Sequence, residues 1–105
     1  YDGIYMYKCK ECQVTGNNIM ASGQKYNPDW GGSGIRMLME CSRNNLQHNT
    51  VRRGDGSMKP AYGIWIQSAD CDRNLVTNND LYLSGTTTSL KNDGSNTVTT
   101  AGNRT

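Results

Sequence analysis

The apolar residues of this chain recur in short alternating stretches and not with the period of a helix. In one stretch Ile35, Met37 and Met39 occupy one set of alternate positions. Arg36 and Leu38 occupy the other set. Alternation of this kind places successive side chains on opposite faces of a β-strand. Because these stretches are separated by turns rich in Gly, Asn and Ser, the pattern predicts an all-β protein.

A four-residue phrase occurs three times along the chain. Its copies start at Gly3, Gly34 and Gly63, which are 31 and 29 residues apart, and Ile is the second residue of each. Each copy leads into a second match, in which an apolar residue is followed three places later by Asn. These matches are Val14 to Asn17, Leu46 to Asn49 and Leu75 to Asn78. Repeats of this length are typical of stacked structural units.

Short strands that repeat at this spacing without hairpin dipeptides are expected to pair with their copies one rung along the stack. The pattern therefore predicts a right-handed parallel β-helix of three to four rungs over residues 1–105. Rungs are expected to start near Gly3, Gly34 and Gly63, with a last rung near Asn96. A core one side chain deep suits a chain that is only 34 % hydrophobic and has no Phe.

The repeated asparagines are expected to be structural. Asn tolerates left-handed backbone, and its amide bonds neighbours above and below in a stack, so Asn17, Asn49 and Asn78 are predicted to form a column at a tight corner. Neither end of the chain resembles a cap, and the chain opens at Tyr1. We interpret it as a fragment of a longer protein.

Charge and hydropathy exclude two classes of partner. The net charge is only +2, and the Lys and Arg residues are scattered, which argues against a nucleic-acid partner. No apolar run approaches the roughly 18 to 20 residues that a membrane span needs. No cofactor is expected, and no acidic cluster predicts a calcium site.

The Gly-Ile phrases and Asn corners resemble the pectate-lyase-like superfamily of right-handed β-helices. The closing run, from Asn79 to Thr87 and on through Gly94-Ser95 to Arg104, looks like the final rungs of phage tail-spike and appendage proteins and of bacterial polysaccharide-active proteins. The resemblance implies polysaccharide recognition at an extracellular or virion surface. Two alternatives stay open: a non-catalytic stem that assembles as a homotrimer, and a polysaccharide lyase, hydrolase or epimerase.

The enzymatic alternative depends on four candidate catalytic residues. Asp70 and Asp72 form an Asp-x-Asp that would serve as acid and base, or as acid and nucleophile, on either side of a glycosidic bond. Arg52 and Arg53 resemble paired basic residues of lyases, which lower the pKa of an α-proton. The family motifs that would support these roles are missing, since Gly32-Ser33-Gly34 lacks the His of the Gly-His-Gly turn of hydrolases and no Asp-Pro-His occurs.

A sugar-binding surface is predicted on the outward face of the repeated phrase. If the isoleucines point inward, Tyr5, Arg36 and Trp65 form an outward column of rings beside a cation, which suits sugar faces and carboxylates. Trp30 and Tyr62 lie in two insertions, Gln24 to Ser33 and Arg53 to Tyr62, that would border this column. The alternative is that the same side chains contact another chain or pack against the helix.

The four cysteines leave several alternatives open. Cys9-x-x-Cys12 has half the spacing of a zinc site but lacks a second close pair, so no metal site is predicted. Cys9 and Cys41 are expected on adjacent rungs, as a disulfide or as reduced thiols, with Cys71 one place out of register. His48, the single histidine, is expected to be a corner residue without a catalytic role.

Overall fold

The computed structural model describes residues 2–20, 32–56 and 58–105, and all their regular structure is β-strand. The nine strands are β1 (Ile4–Tyr7), β2 (Gln13–Thr15), β3 (Asn18–Met20), β4 (Ser33–Leu38), β5 (Asn45–Gln47), β6 (Thr50–Arg52), β7 (Tyr62–Ile66), β8 (Leu75–Thr77) and β9 (Thr88–Asn92). All pairings between them are parallel. In this described part of the chain, no helix is long and apolar enough to cross a membrane.

Consecutive strands belong to different sheets, so the chain coils. The sheets have the orders β1-β4-β7-β9, β2-β5-β8 and β3-β6, and each coil adds one strand or bridge to each sheet. This arrangement is a parallel β-helix, and the predicted fold class is confirmed. The fourth coil begins with β9 at Thr88, eight residues before Asn96, and continues through the bridges of Ser95, Val98 and Arg104 to the third coil.

The repeated phrase forms the longest sheet in the predicted register. Ile4, Ile35 and Ile64 are aligned across β1, β4 and β7, and Leu90 of β9 continues the row. Ile35 and Ile64 have no exposed surface. The core is completed by Met6 and Met37 from this sheet, by Leu46 and Val76 from the second, and by Ile19, Val51 and Leu81 from the third corner region. One inward side chain per strand position therefore fills the interior.

Each corner after the second sheet has two residues with separate tasks. The first has a left-handed backbone, with φ between 56° and 72°, and the residues in this column are Gly16, His48, Asn78 and Gly102. The next residue is an asparagine, and these are Asn17, Asn49, Asn79 and Asn103. The predicted column of Asn17 and Asn49 is confirmed, but its third member is Asn79 and not Asn78. Asn78 is exposed and occupies the left-handed position instead.

The asparagines form a ladder in which each coil donates to the next. Asn49 donates through its backbone N–H (3.0 Å) and its Nδ2 (2.9 Å) to Oδ1 of Asn79. Asn79 donates in the same way to Oδ1 of Asn103 at 3.0 and 3.1 Å. A second ladder at the preceding corner joins Asn44 to Asn74. Since Asn44, Asn49, Asn74 and Asn79 are each 1 % exposed, the ladders satisfy buried corner groups that would otherwise destabilise the fold.

The two predicted insertions differ in what the structure describes. Residues 24–31, which include Tyr26, Asp29 and Trp30, lie outside the described residues. The second insertion connects β6 to β7 and packs against the connection that precedes β9 in the next coil. Arg53 N–H donates to the Leu83 carbonyl at 2.8 Å, and Thr86 N–H donates to the Pro60 carbonyl at 3.0 Å.

Candidate functional site

The predicted outward column forms, and it is longer than the sequence indicated. Tyr5, Arg36 and Trp65 are aligned across β1, β4 and β7, and Lys91 of β9 adds a fourth member. The Arg36 guanidinium carbon lies 5.1 Å from the centre of the Trp65 ring, and Lys91 Nζ lies 5.1 Å from the same ring. Two cations therefore flank one aromatic ring, an arrangement in which each contact is attractive.

Acidic side chains complete the bonding of this column. Asp2 forms an ion pair with Arg36 at 3.3 Å, and Asp93 accepts a hydrogen bond from Trp65 Nε1 at 3.0 Å. Tyr62 packs on Trp65 with ring centres 4.8 Å apart. Arg36 is only 5 % exposed and Trp65 only 8 %. The middle of the column is therefore largely closed to a ligand.

The accessible aromatic rings of this sheet lie instead on the first coil. Tyr5 is 52 % exposed and Tyr7 is 49 % exposed, and their ring centres are 6.3 Å apart. Lys8 Nζ lies 5.7 Å from the centre of the Tyr7 ring. The sugar-binding roles of Tyr5, Arg36, Trp65 and Tyr62 remain predictions, and that of Trp30 lies outside the described residues.

The two predicted catalytic aspartates lie at the corner between β7 and β8. Asp70 is exposed, and a hydrogen bond from Ser68 is the main cause that lowers the pKa of its carboxyl group. Asp72 accepts hydrogen bonds at 2.8 Å from both Arg73 and Asn96. A carboxyl group with a lowered pKa is ionised at neutral pH, so Asp70 is a poor candidate for a general acid.

The two predicted catalytic arginines lie at a different corner, after β6. Arg52 donates to Oδ2 of Asp80 at 2.6 Å, and Arg104 of the last coil lies 3.4 Å from the same oxygen. Arg53 Nη1 lies 3.4 Å from the Gly85 carbonyl. The structure brings neither arginine together with Asp70 or Asp72. The catalytic roles of these four residues stay predictions, without a shared site.

Three cysteines are stacked at the corner between the first and second sheets. Bridges join Lys10, Ser42 and Asp72 in register, so the residues before them, Cys9, Cys41 and Cys71, stack directly. The expectation that Cys71 is one place out of register was wrong, and it shares its cause with the Asn78 error. All four cysteines are free thiols. Burial is the largest cause that raises the pKa of Cys41.

The described residues do not contain a preformed metal site of three or more His, Cys, Asp and Glu side chains. His48 occupies the left-handed corner position with φ of 57° and is not stacked with the cysteines.

Two features of the structure were not predicted from the sequence. Lys91 and Asp93 extend the outward column. The alternation of side chains within β9 is the sequence pattern that could have identified them. Cys12 occupies the first position of the second asparagine ladder, because its N–H donates to Asn44 Oδ1 at 2.9 Å.

The family model described as periplasmic copper-binding protein (NosD) matches residues 1–103 of the chain. This family is of the parallel β-helix type, so the match agrees with the fold but does not indicate the pectate-lyase-like superfamily specifically. No curated protein and no solved structure matches the chain.

Proposed function

The chain belongs to the NosD family of periplasmic copper-binding proteins, and we propose that this segment is a non-catalytic β-helical scaffold that works outside the cytoplasm. Membership of a periplasmic family supports the coarse localisation and lends no support to a virion surface. The scaffold role is the structural-stem alternative raised by the sequence. Assembly as a homotrimer remains a further prediction, which the molar mass from light scattering tests.

One observation carries the proposal: the polar side chains of the coils are bonded mainly to one another. Arg36 and Trp65 are buried within their own column, and Asp72 and Arg52 are held by neighbouring side chains. A catalytic constellation needs groups that converge on a reacting atom. Here the candidate acids and arginines lie at separate corners, whereas the ladder of Asn17, Asn49, Asn79 and Asn103 runs through all four coils.

Copper binding, which the family description names, needs donor side chains that lie close together. Most of the candidate donors among the described residues are either far from one another or buried. Copper(I) prefers soft thiolate and thioether ligands, while imidazole suits copper(II). His48 lies apart from the sulfur column, and Cys41 and Cys71 are completely buried. Cys9 and Cys12 are partly exposed thiols at one corner, so their donor chemistry alone fits copper(I).

An assay for polysaccharide cleavage tests the non-catalytic role. The chain is incubated with a panel of acidic and neutral polysaccharides, and new reducing ends and ultraviolet-absorbing unsaturated ends are measured. We expect neither product. Product that disappears in Asp72→Asn but persists in Asp55→Asn, an exposed control in the second insertion, would overturn the proposal and identify a glycosidase or lyase.

Polysaccharide recognition is a second candidate function, favoured by the exposed pair of Tyr5 and Tyr7. Adjacent exposed rings supply apolar faces that pack against sugar C–H groups. We expect Tyr5→Ala to abolish any polysaccharide binding and Tyr82→Ala to leave it unchanged, because Tyr82 is similarly exposed (45 %) but stacks with Arg104 elsewhere. Trp65→Ala is a poor test, since loss of a buried ring would destabilise the fold. Equal binding by both tyrosine variants would contradict this candidate.

A further inference from the structure

We propose that Cys9 and Cys41 are a disulfide-forming pair, which locks the first coil to the second when the chain is oxidised. All four thiols are free in the structure, which is therefore that of the reduced chain. The lock goes beyond the scaffold role, and only its oxidising surroundings rest on the location proposed above. Three observations support the pair: the alignment of the two residues, the position of the Cys41 sulfur and the exposure of the Cys9 thiol.

Cys9 and Cys41 are neighbours in adjacent coils. The Ser42 N–H donates to the Cys9 carbonyl at 3.0 Å, and the parallel bridge between Lys10 and Ser42 places the two residues before them side by side. Neighbouring strands lie about 4.8 Å apart, which is within the Cα separation of about 4.4–6.8 Å that a disulfide spans. Cys41 belongs to the core cluster and Cys9 packs against it, so both side chains approach the same interior.

The Cys41 sulfur lies against Cys9 and the strand before it. The Cys41 thiol donates to the Met6 carbonyl at 3.4 Å. Burial is the largest cause that raises the pKa of Cys41, and the next largest effect is a hydrogen bond from the Cys9 backbone, which lowers it. The charge of the Cys9 thiol also raises the pKa of Cys41. The Cys41 sulfur therefore interacts with both the backbone and the thiol of Cys9.

Exposure selects Cys9 over Cys71, which stacks on the other side of Cys41. Cys41 and Cys71 have no exposed surface, so neither meets an oxidant in solution first. Cys9 is partly exposed. Thiol–disulfide exchange begins at an accessible thiol, and a neighbouring thiol then completes the bond. Cys9 is therefore the residue that reacts first, and the buried Cys41 is the one that resolves the mixed disulfide.

Cys12 is also partly exposed, but it belongs to a different column. Its backbone N–H donates to Asn44 Oδ1 at 2.9 Å, which aligns Cys12 with an asparagine ladder and not with Cys41. Its thiol donates to the Lys10 carbonyl at 3.5 Å. We therefore expect Cys12 to remain a free thiol after oxidation.

The oxidant is a small disulfide such as oxidised glutathione. The Cys9 thiolate attacks one of its sulfur atoms, the S–S bond of the oxidant breaks, and one glutathione thiolate leaves. The Cys41 thiolate then attacks Cys9 Sγ, which forms the new disulfide and releases the second glutathione. Both cysteine protons pass through solvent to the glutathione thiolates, so the chain loses two electrons and the oxidant gains them.

The bond stabilises the fold by restricting the unfolded chain. It closes a loop of about 30 residues that contains β2, β3 and β4, and loop closure on this scale is expected to raise the midpoint of thermal unfolding by roughly 10 °C. Reduction with dithiothreitol is expected to reverse the increase. The stability of the stack thereby depends on the redox state of its surroundings.

The test treats the folded native chain with oxidised glutathione, blocks the remaining thiols with an alkylating reagent and maps the linked peptides by mass spectrometry. Cleavage at the two glutamates places Cys9 and Cys12 in separate peptides, and further cleavage at the arginines separates Cys41 from Cys71. We expect a Cys9–Cys41 link, with Cys12 and Cys71 alkylated.

Cys12→Ser is the matched control for Cys9→Ser, because both thiols are partly exposed. Oxidation should raise the unfolding midpoint of Cys12→Ser as it does that of the native chain. It should leave the midpoint of Cys9→Ser unchanged. An equal increase in Cys9→Ser would contradict the proposal.

The peptide map can also overturn the pair. A Cys9–Cys12 link or a Cys41–Cys71 link in the folded native chain would assign the disulfide to other residues. Four free thiols after treatment of the folded chain would show that Cys9 and Cys41 are not placed to react. None of these results bears on the scaffold role, which the polysaccharide assay tests separately.

Discussion

Individual asparagines contribute to this fold through bonds that an apolar residue does not replace. The Nδ2 of Asn49 donates to the Val14 carbonyl at 2.8 Å. The Oδ1 of Asn49 accepts two hydrogen bonds, from the backbone N–H and the Nδ2 of Asn17. We expect Asn49→Ala to lower the free energy of unfolding by about 2–4 kcal/mol, because several buried groups lose their partners together. Urea denaturation measures this change.

The matched control for this variant is Asn45→Ala. Asn45 lies four residues earlier in the same coil, but its buried Oδ1 has no hydrogen-bond partner in the structure. Its loss should cost less than half as much as the loss of Asn49. Equal destabilisation by the two variants would show that the ladder contributes nothing beyond ordinary side-chain packing.

Asp80 gives the fold a dependence on pH. A hydrogen bond from Arg52 is the main cause that lowers the pKa of Asp80, and the Tyr82 N–H and the charge of Arg104 act in the same direction. A group with a lowered folded-state pKa stabilises the fold above its unfolded pKa, near 3.9, and this contribution is lost as the pH falls through the folded value.

We therefore expect the native chain to lose stability on acidification below about pH 4, and Asp80→Asn to lose less over the same range. Thermal unfolding midpoints at a series of pH values measure this difference. Asp55→Asn, at an exposed position, serves as the control and should follow the native profile. Parallel profiles for native chain and Asp80→Asn would contradict the role of this carboxylate.

At the scale of the elements, the sequence predicted the first sheet with its register. The Gly-Ile phrase marks that sheet because it repeats both an inward isoleucine and a glycine at a close approach. A Cβ on Gly34 would contact the Val51 side chain and lie 2.7 Å from the Gly63 carbonyl oxygen. Such contacts explain why the phrase begins with glycine in successive coils.

Gly34→Ala tests this close approach. Overpacking in a tight interior costs about 1–3 kcal/mol, and we expect a loss of stability in that range. Ser33→Ala, one residue earlier, is the control: the Ser33 hydroxyl is buried without a hydrogen-bond partner, so its removal should be neutral or stabilising. A Gly34→Ala variant as stable as Ser33→Ala would show that the glycine is not required by packing.

The register of the second sheet in the third coil could not be predicted from the position of an asparagine alone. Asn78 and Asn79 are adjacent, and either fits the pattern of an apolar residue followed by Asn. The deciding feature is the left-handed residue before the ladder asparagine, which is Gly16 in the first coil and Gly102 in the fourth. Asn adopts left-handed backbone readily, so Asn78 imitates the ladder residue while it takes the place of glycine.

The sequence also could not predict that the middle of the outward column is buried. Alternation identified which face Arg36 and Trp65 occupy, and that prediction was correct. It does not report what lies against that face, because alternation describes a strand and its two sides only. Arg36 and Trp65 are nearly buried on this face, and the exposed aromatic side chains of this sheet are Tyr5 and Tyr7.

At the scale of the whole molecule, repetition determined what could be predicted. Features that recur from coil to coil, such as the core isoleucines and the stacking of Cys9 with Cys41, were predicted from the sequence. Features that depend on contacts between different parts of the coil could not be predicted in this way. Examples are the ion pair of Arg52 with Asp80 and the separation of the two arginines from Asp72. Both depend on how the corners are placed relative to one another. Residue spacing along the chain does not contain that information.

The central claim is that four coils stack in the register set by the asparagine ladders. The most direct measurement is hydrogen exchange of the Asn side-chain amides by NMR. The side-chain amides of Asn49 and Asn79 should exchange slowly, while those of exposed Asn18 and Asn78 should exchange at the rate of a solvated amide. Fast exchange at Asn79 with protection at Asn78 would shift the third coil by one residue and contradict the account.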